Sequence, residues 1–425
     1  MSSSLAQCPF VLDPFQYRED ALYCEEVSLA EIAVAAGTPC YVYGANGIRR
    51  RFGAYAEALS GLPHNICYAV KANSNLAVLK LLADLGSGFD IVSAGELYRV
   101  LRAGGDPAKV VFSGVGKTEA EIVFALSESI HSFNCESESE LRMLAAVARA
   151  QGTRARAALR VNPDVDANTH PYISTGLQEH KFGVPFEVAS TLYRQFRDEP
   201  GLEWVGISCH IGSQILEVSP LVEAVEKVLA FAMSLRSEGI AISEIDIGGG
   251  LGVAYRPHET PTAIPSYMER VLQKVKDSGF SLAVEPGRSL VAESGVLLSR
   301  VLHVKPSKSR NFVIVDAAMN DLIRPSLYSA HHEIAPVAWT PSETVVADVV
   351  GPVCESGDFF ARQRLLPSLK QGDLIALCTA GAYGFALASN YNARPRSAEV
   401  LVDGATWRVV RERETWEDLV RGETP

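Results

Sequence analysis

The chain has 425 residues, 47% of them hydrophobic and 21% charged, with a formal net charge of −11. That length exceeds one ordinary core and points to two domains. An acidic balance excludes a nucleic-acid surface, and no run nears the roughly 20 apolar residues that span a bilayer, so the expected partner is a small molecule, with no nucleic acid and no membrane.

The first ten residues lack the basic start and apolar core of a secretory signal, which places the protein in the cytoplasm. Eight cysteines, at positions 8, 24, 40, 67, 135, 209, 354 and 378, include no Cys-x-x-Cys pair. They form neither a zinc site nor a disulfide framework and read as reduced thiols, mostly buried.

Residues 1–47 form a lead-in segment, with a helical pattern from Ser28 to Ala36 and a short strand from Thr38 to Tyr43. From residue 48 to 288 short apolar runs alternate with helical segments. The runs are Ile66 to Val70, Phe89 to Val92, Val110 to Ser113, Ser132 to Cys135, Ala155 to Val161, Trp204 to His210, Glu244 to Ile247 and Ser281 to Val284. Serine or threonine followed three residues later by glutamate, at Ser93 and Glu96, Thr118 and Glu121, and Ser137 and Glu140, fits the capping box. Eight such βα units predict a (β/α)8 TIM-like barrel. Residues 289–425 read as a separate β-rich domain, with strands at Leu297 to Val304, Phe312 to Asp316, Thr344 to Val350, Leu374 to Cys378, Glu399 to Val402 and Trp407 to Val410. The early strand lies outside the barrel count and is expected to pair with this sheet. The charged tail from Arg411 to Pro425 reads as a surface helix or a frayed end.

Barrel chemistry sits at the C-terminal ends of the strands. Lys71 follows the first run, Asp90 falls in the second, and His210 closes the sixth with Ser213 just beyond. Gly248, Gly249 and Gly250 follow the seventh, and Glu285-Pro286-Gly287-Arg288 follows the eighth. A strand-end lysine is often only solvated, but burial there would favour the neutral amine that attacks carbonyls. Three glycines form a tight turn or, at this place in a barrel, a backbone cradle for phosphate. Val253 replaces the last glycine of a dinucleotide fingerprint, and Val111 the first glycine of a P-loop before Gly116-Lys117-Thr118, so neither motif is present. A lysine for covalent attachment, a phosphate cradle and the Glu285 carboxylate to hold a pyridine nitrogen protonated together suggest pyridoxal 5'-phosphate. His210 is suited to lie flat on such a ring, or to be a hydrogen-bonded core histidine.

The ordered set Tyr68-Ala-Val-Lys71-Ala-Asn73, His210-Ile-Gly-Ser213, Asp246-Ile-Gly-Gly-Gly250, Glu285-Pro-Gly-Arg288, Cys354-Glu-Ser-Gly-Asp358 and Gly381-Ala-Tyr383 resembles the fold type III pyridoxal-phosphate-dependent decarboxylases. The match runs from about Pro39 to Asp403 and takes in Met319-Asn-Asp-Leu-Ile-Arg324-Pro-Ser-Leu-Tyr328. The resemblance implies that Lys71 attaches the cofactor, that His210 stacks on its ring, and that Ser213, Gly248 to Gly250 and the Gly287–Arg288 backbone hold the phosphate. It also implies Glu285 on the pyridine nitrogen, Tyr383 near phosphate and substrate, and Asp90 beside the cofactor.

Family members are homodimers with shared active sites, and their resemblance puts Cys354 and Glu355 on a loop entering the neighbour's barrel. Cys354 would then protonate the carbon that loses carbon dioxide, and Glu355 would meet a distal amine. Arg288, Arg324 and Tyr328 suit a distal carboxylate, so the implied substrate is a diaminodicarboxylic amino acid. Members acting on carboxynorspermidine or arginine, a racemase sharing the lysine-bearing barrel, and a catalytically silent regulatory relative are the alternatives.

Overall fold

A computed structural model of the chain describes residues 11–166, 181–307 and 310–425. It divides into two compact units, one of Arg51–Val253 with Thr260–Ser289, the other of Met1–Arg50, Ala254–Glu259 and Leu290–Pro425. Cys8 lies outside the described residues. The seven described cysteines are free thiols, all buried except Cys354. No helix among the described residues is long and apolar enough to cross a membrane.

In the first unit eight parallel strands close on themselves: His64–Ala69, Gly88–Ile91, Val110–Phe112, Ser132–Cys135, Ala155–Asn162, Leu202–Cys209, Glu244–Asp246 and Ser281–Val284. Closure is made by the eighth strand pairing with the first, Leu282 opposite His64 and Val284 opposite Ile66. The strands are short apolar runs because both faces are covered: the inner by the barrel filling, the outer by helices. Phe89, Phe112 and Phe133 are fully buried, and the last two rings stack 6.0 Å apart.

The intervening helices start where the caps predict, with two differences in what the glutamates do. Thr118 and Glu121 make the reciprocal box. Ser93 and Ser137 each accept from the expected N–H, but Glu96 accepts from the Val92 N–H instead. The Glu140 carboxylate is drawn inward to Lys117, 2.7 Å away, while its other oxygen takes the Glu136 N–H. A buried lysine needs that partner. Lys117, the lysine of the rejected P-loop reading, therefore ties the ends of strands three and four through the Gly114 and Asn134 carbonyls.

The second unit holds a nine-stranded sheet and a small meander of Phe15–Arg18, Ala21–Cys24 and Val27–Ser28. The early strand, Cys40–Gly44, lies between Gly295–Lys305, antiparallel, and Ala398–Asp403, parallel. Its five residues are all buried, which is why an isolated N-terminal strand is held here. One nine-residue strand, Phe359–Pro367, has no counterpart in the sequence reading. Its centre is Arg362-Gln363-Arg364, with Gln363 at φ 47°, so it bulges and shows no apolar alternation. The tail carries a one-turn helix, Trp416–Leu419, capped by Thr415 and Asp418.

Candidate active site

The first strand ends at Ala69, and Val70–Ala72 form a single 3₁₀ turn, so Lys71 stands in a turn rather than on the strand tip. Its side chain is 40% exposed and Nζ lies 2.5 Å from Oδ2 of Asp90, which is wholly buried. The side chain is thus partly exposed and makes an ion pair with strand two. The other carboxylate oxygen of Asp90 has no hydrogen-bond partner among the described residues. Glu96, half-buried at the start of the next helix, has its carboxyl pushed up to about 7 by burial, against the Val92 N–H and with Asp90 adding to the rise.

Glu285 is buried at the end of strand eight and faces a second acid, Asp246, from strand seven; their side chains are hydrogen-bonded. Burial first, then Asp246 and Asp90, push the Glu285 carboxyl well above the usual range, against the nearby Lys71 cation. Asp246 is raised to about 6, chiefly by burial, although the Gly248 N–H donates to it at 2.8 Å. Two buried carboxyl groups in contact do not both ionise readily, so the pair as a unit holds on to a proton. Asn134 from strand four reaches across to both, 3.1 Å from Asp246 and 3.5 Å from Glu285, and also donates to Ser113, which sits 3.4 Å from Glu285. Ser113 and Asn134 are functional candidates the sequence reading missed. The available signal was a polar side chain inside the run Ser132-Phe-Asn-Cys135.

His210 follows strand six. Burial, then Arg160 and Lys71, push its imidazole well below the ordinary value. Nδ1 accepts the Gly249 N–H at 3.3 Å, so the neutral ring carries its proton on Nε2. Gly248 and Gly250 have φ of 67° and 111°, which favours glycine. Gly249 is needed for space: a Cβ there would lie 2.3 Å from the Glu285 carbonyl. Gly249→Ala is expected to lower the unfolding free energy by about 1–3 kcal/mol, because the strand-eight end must move to admit a methyl group. A chemical-denaturation midpoint equal to that of the parent would show that the turn yields without strain. Beside this turn, buried Arg288 donates to the Ser213 hydroxyl at 3.0 Å. Pro286 accepts the Ala69 N–H, joining strand eight to the residue before the Lys71 turn, and Gly287, which follows it, is buried.

The barrel unit therefore gathers Lys71, Asp90, His210, Ser213, Gly248 to Gly250 and Glu285 to Arg288. These residues fit pyridoxal phosphate. A cradle closed to side chains lies near a cation and a hydroxyl, a buried acid can face a ring nitrogen, and an amine rests on a carboxylate that has an unused oxygen.

Arg324, Tyr328, Cys354, Glu355 and Tyr383 belong to the other unit. Cys354 and Glu355 are exposed on a loop that is nevertheless held in place. The Cys354 N–H donates to Asn392 Oδ1 at 2.9 Å, Tyr391 stands 3.5 Å from Glu355, and Ser326 donates to the Gly357 carbonyl at 2.5 Å. Asp358, buried, takes the N–H groups of Val353 and Met319, both at 2.7 Å. Tyr383 has φ of 55°, a conformation that residues other than glycine rarely adopt. Arg324 is buried at the start of the short helix Arg324–Tyr328, its guanidinium 4.7 Å over the Tyr255 ring. Tyr328 closes that helix, half-buried.

A parallel barrel that sets an amine, a neutral imidazole and a buried acid pair around a glycine cradle defines a pyridoxal-phosphate-dependent enzyme. The family model for the pyridoxal-dependent decarboxylases, pyridoxal binding domain, matches residues 45–292. The diaminopimelate decarboxylase of Pseudomonas aeruginosa is 51% identical over 97% of this chain and 99% of its own length. Among solved structures, the Helicobacter pylori diaminopimelate decarboxylase complexed with L-lysine is 46% identical, with a TM-score of 0.89, covering 92% of this chain and 98% of its own. The M. jannaschii diaminopimelate decarboxylase, also in complex with L-lysine, is 37% identical, with a TM-score of 0.92 and coverage of 97% and 98%. The chain belongs to the pyridoxal-dependent decarboxylases and, within them, to the diaminopimelate decarboxylase family.

Proposed function

We propose that the protein decarboxylates meso-2,6-diaminopimelate to L-lysine and carbon dioxide, the last step of lysine synthesis, as a cytoplasmic homodimer with shared active sites. The observation that carries this reading is 51% identity over 97% of the chain to a diaminopimelate decarboxylase, together with the likeness to two solved diaminopimelate decarboxylases complexed with L-lysine. Bound pyridoxal phosphate supplies the sink for the electron pair left when the carboxylate departs.

The chain's own residues do the rest. Lys71 would be the point of attachment for the cofactor, and the Asp90 carboxylate that it touches here would receive its ammonium whenever that amine is free. Glu285 would hold the pyridine nitrogen protonated, with the Glu285–Asp246 pair as the source of the proton. His210, held neutral by burial, would offer an uncharged face for the ring to stack on. Ser213, the glycine turn and the Gly287–Arg288 backbone would hold the phosphate, and Tyr383 would contact phosphate and substrate. Arg288, Arg324 and Tyr328 bind the distal carboxylate, Glu355 the distal amine, and Cys354 protonates the carbon that has lost carbon dioxide. An arginine pair suits a substrate with a second carboxylate and has no use in a diamine-forming enzyme.

The test is direct measurement of carbon dioxide release from meso-diaminopimelate, carboxynorspermidine and arginine. The first is expected to react fastest. Faster turnover of either rival would reassign the substrate, and racemisation without gas release would reassign the reaction.

A further inference from the structure

Arg324 is buried, and its surroundings fix it on two sides. Nη1 lies 3.1 Å from Nε2 of His332, and the guanidinium carbon stands 4.7 Å over the ring of Tyr255. His332 is itself fully buried, with Nδ1 2.8 Å from the Cys378 carbonyl. Its ring meets the Tyr255 ring edge-on, 5.4 Å between centroids.

The hydrogen-bond chemistry leaves one arrangement. A guanidinium only donates, so Nε2 of His332 accepts; a carbonyl only accepts, so Nδ1 carries the proton. A lysine or a second arginine would not serve at position 332, and neither would a charged imidazole, since each would set donor against donor. The backbone around His332 is anchored as well, its carbonyl taking an N–H of Arg364 at 3.2 Å.

We propose that His332 is a positioning residue for Arg324: as the neutral Nδ1–H tautomer it locks the guanidinium against the Tyr255 face and so sets the specificity for a substrate bearing a distal carboxylate. The proposal rests on the reading of Arg324 as the contact for that carboxylate. A flexible arginine would attract any anion; one held at an edge and at a face presents its remaining N–H groups in one plane, which is what two-point recognition of a carboxylate requires.

The test uses the holoenzyme and two ligands besides substrate: L-lysine, which keeps the distal carboxylate, and pentane-1,5-diamine, which lacks it. His332→Leu is expected to raise the KM for meso-diaminopimelate and the inhibition constant of L-lysine alike by about tenfold, with kcat within about threefold of the parent and pentane-1,5-diamine unaffected. His332→Gln, which restores an acceptor toward Arg324, is expected to recover most of that loss. A folded His332→Leu with parental KM and lysine inhibition overturns the proposal, as does an equal rise for pentane-1,5-diamine. Should His332→Leu fail to fold, Tyr255→Leu, which removes the ring beneath the guanidinium, must show the same selective loss, and parental values there overturn the proposal. Arg324→Gln separates the two readings. If it leaves KM and lysine inhibition unchanged, the assignment of Arg324 falls; if it weakens both while the His332 variants do not, only the role of His332 falls.

Discussion

Lys71→Ala is expected to abolish the visible absorbance of the purified enzyme and to lower kcat/KM by about four orders of magnitude or more. Alanine offers no amine, so the cofactor is no longer held covalently. The structure adds a second consequence. Asp90 is wholly buried and Lys71 is the cation beside it. Removing that cation strands a buried carboxylate and is expected to cost about 1–3 kcal/mol of stability. Lys71→Arg separates the effects, because a guanidinium keeps the ion pair but does not attach the cofactor. Its melting temperature is expected near that of the parent, with activity as low as in Lys71→Ala. If Lys71→Arg is as unstable as Lys71→Ala, the Asp90 contact is not what the lysine contributes to the fold. If either variant keeps the absorbance, the lysine is not the point of attachment.

Cys354→Ala is expected to keep the cofactor and the melting temperature while kcat falls about 10²–10⁴-fold, the range for loss of a positioned acid. The thiol is exposed, and its loop is held by Asn392, Ser326 and Asp358 through backbone groups that alanine leaves in place. A surface substitution of this kind is close to neutral for folding. Mixing decides whether the sites are shared. In a homodimer where Lys71 of one subunit works with Cys354 of the other, subunit exchange between Lys71→Ala and Cys354→Ala proteins gives hybrids with one intact site. Random pairing then restores about a quarter of parental activity. No recovery after verified exchange would place both residues of each site in the same chain, and parental turnover by Cys354→Ala alone would remove its acid role.

The barrel was legible because its signal is local. Each strand is a short apolar run between helical patterns, and Ser132–Cys135 and Ser281–Val284 have the predicted limits. The glycine turn and the Glu285 segment were legible for the same reason, since their place after strands seven and eight follows from counting. Phe359–Pro367 escaped because its centre is charged and bulged, so no periodicity marks it. Glu96 and Glu140 were read as caps, and a local rule could not see that Lys117 competes for one of them.

Sequence by itself determined the residue types at the mouth: an amine, an imidazole, an acid and a side-chain-free turn in fixed order along the chain. Only the tertiary structure decided their chemical states. Lys71 meets Asp90 in an ion pair, and the Glu285 carboxyl is raised by burial and then by Asp246, with Asn134 bridging the two acids, residues up to 151 positions apart. His332 becomes an acceptor because Arg324 and the Cys378 carbonyl leave it no other role. The reason is physical: residue identity is carried by each position alone, whereas desolvation and the partner a titrating group meets arise only when distant strands close into a common interior.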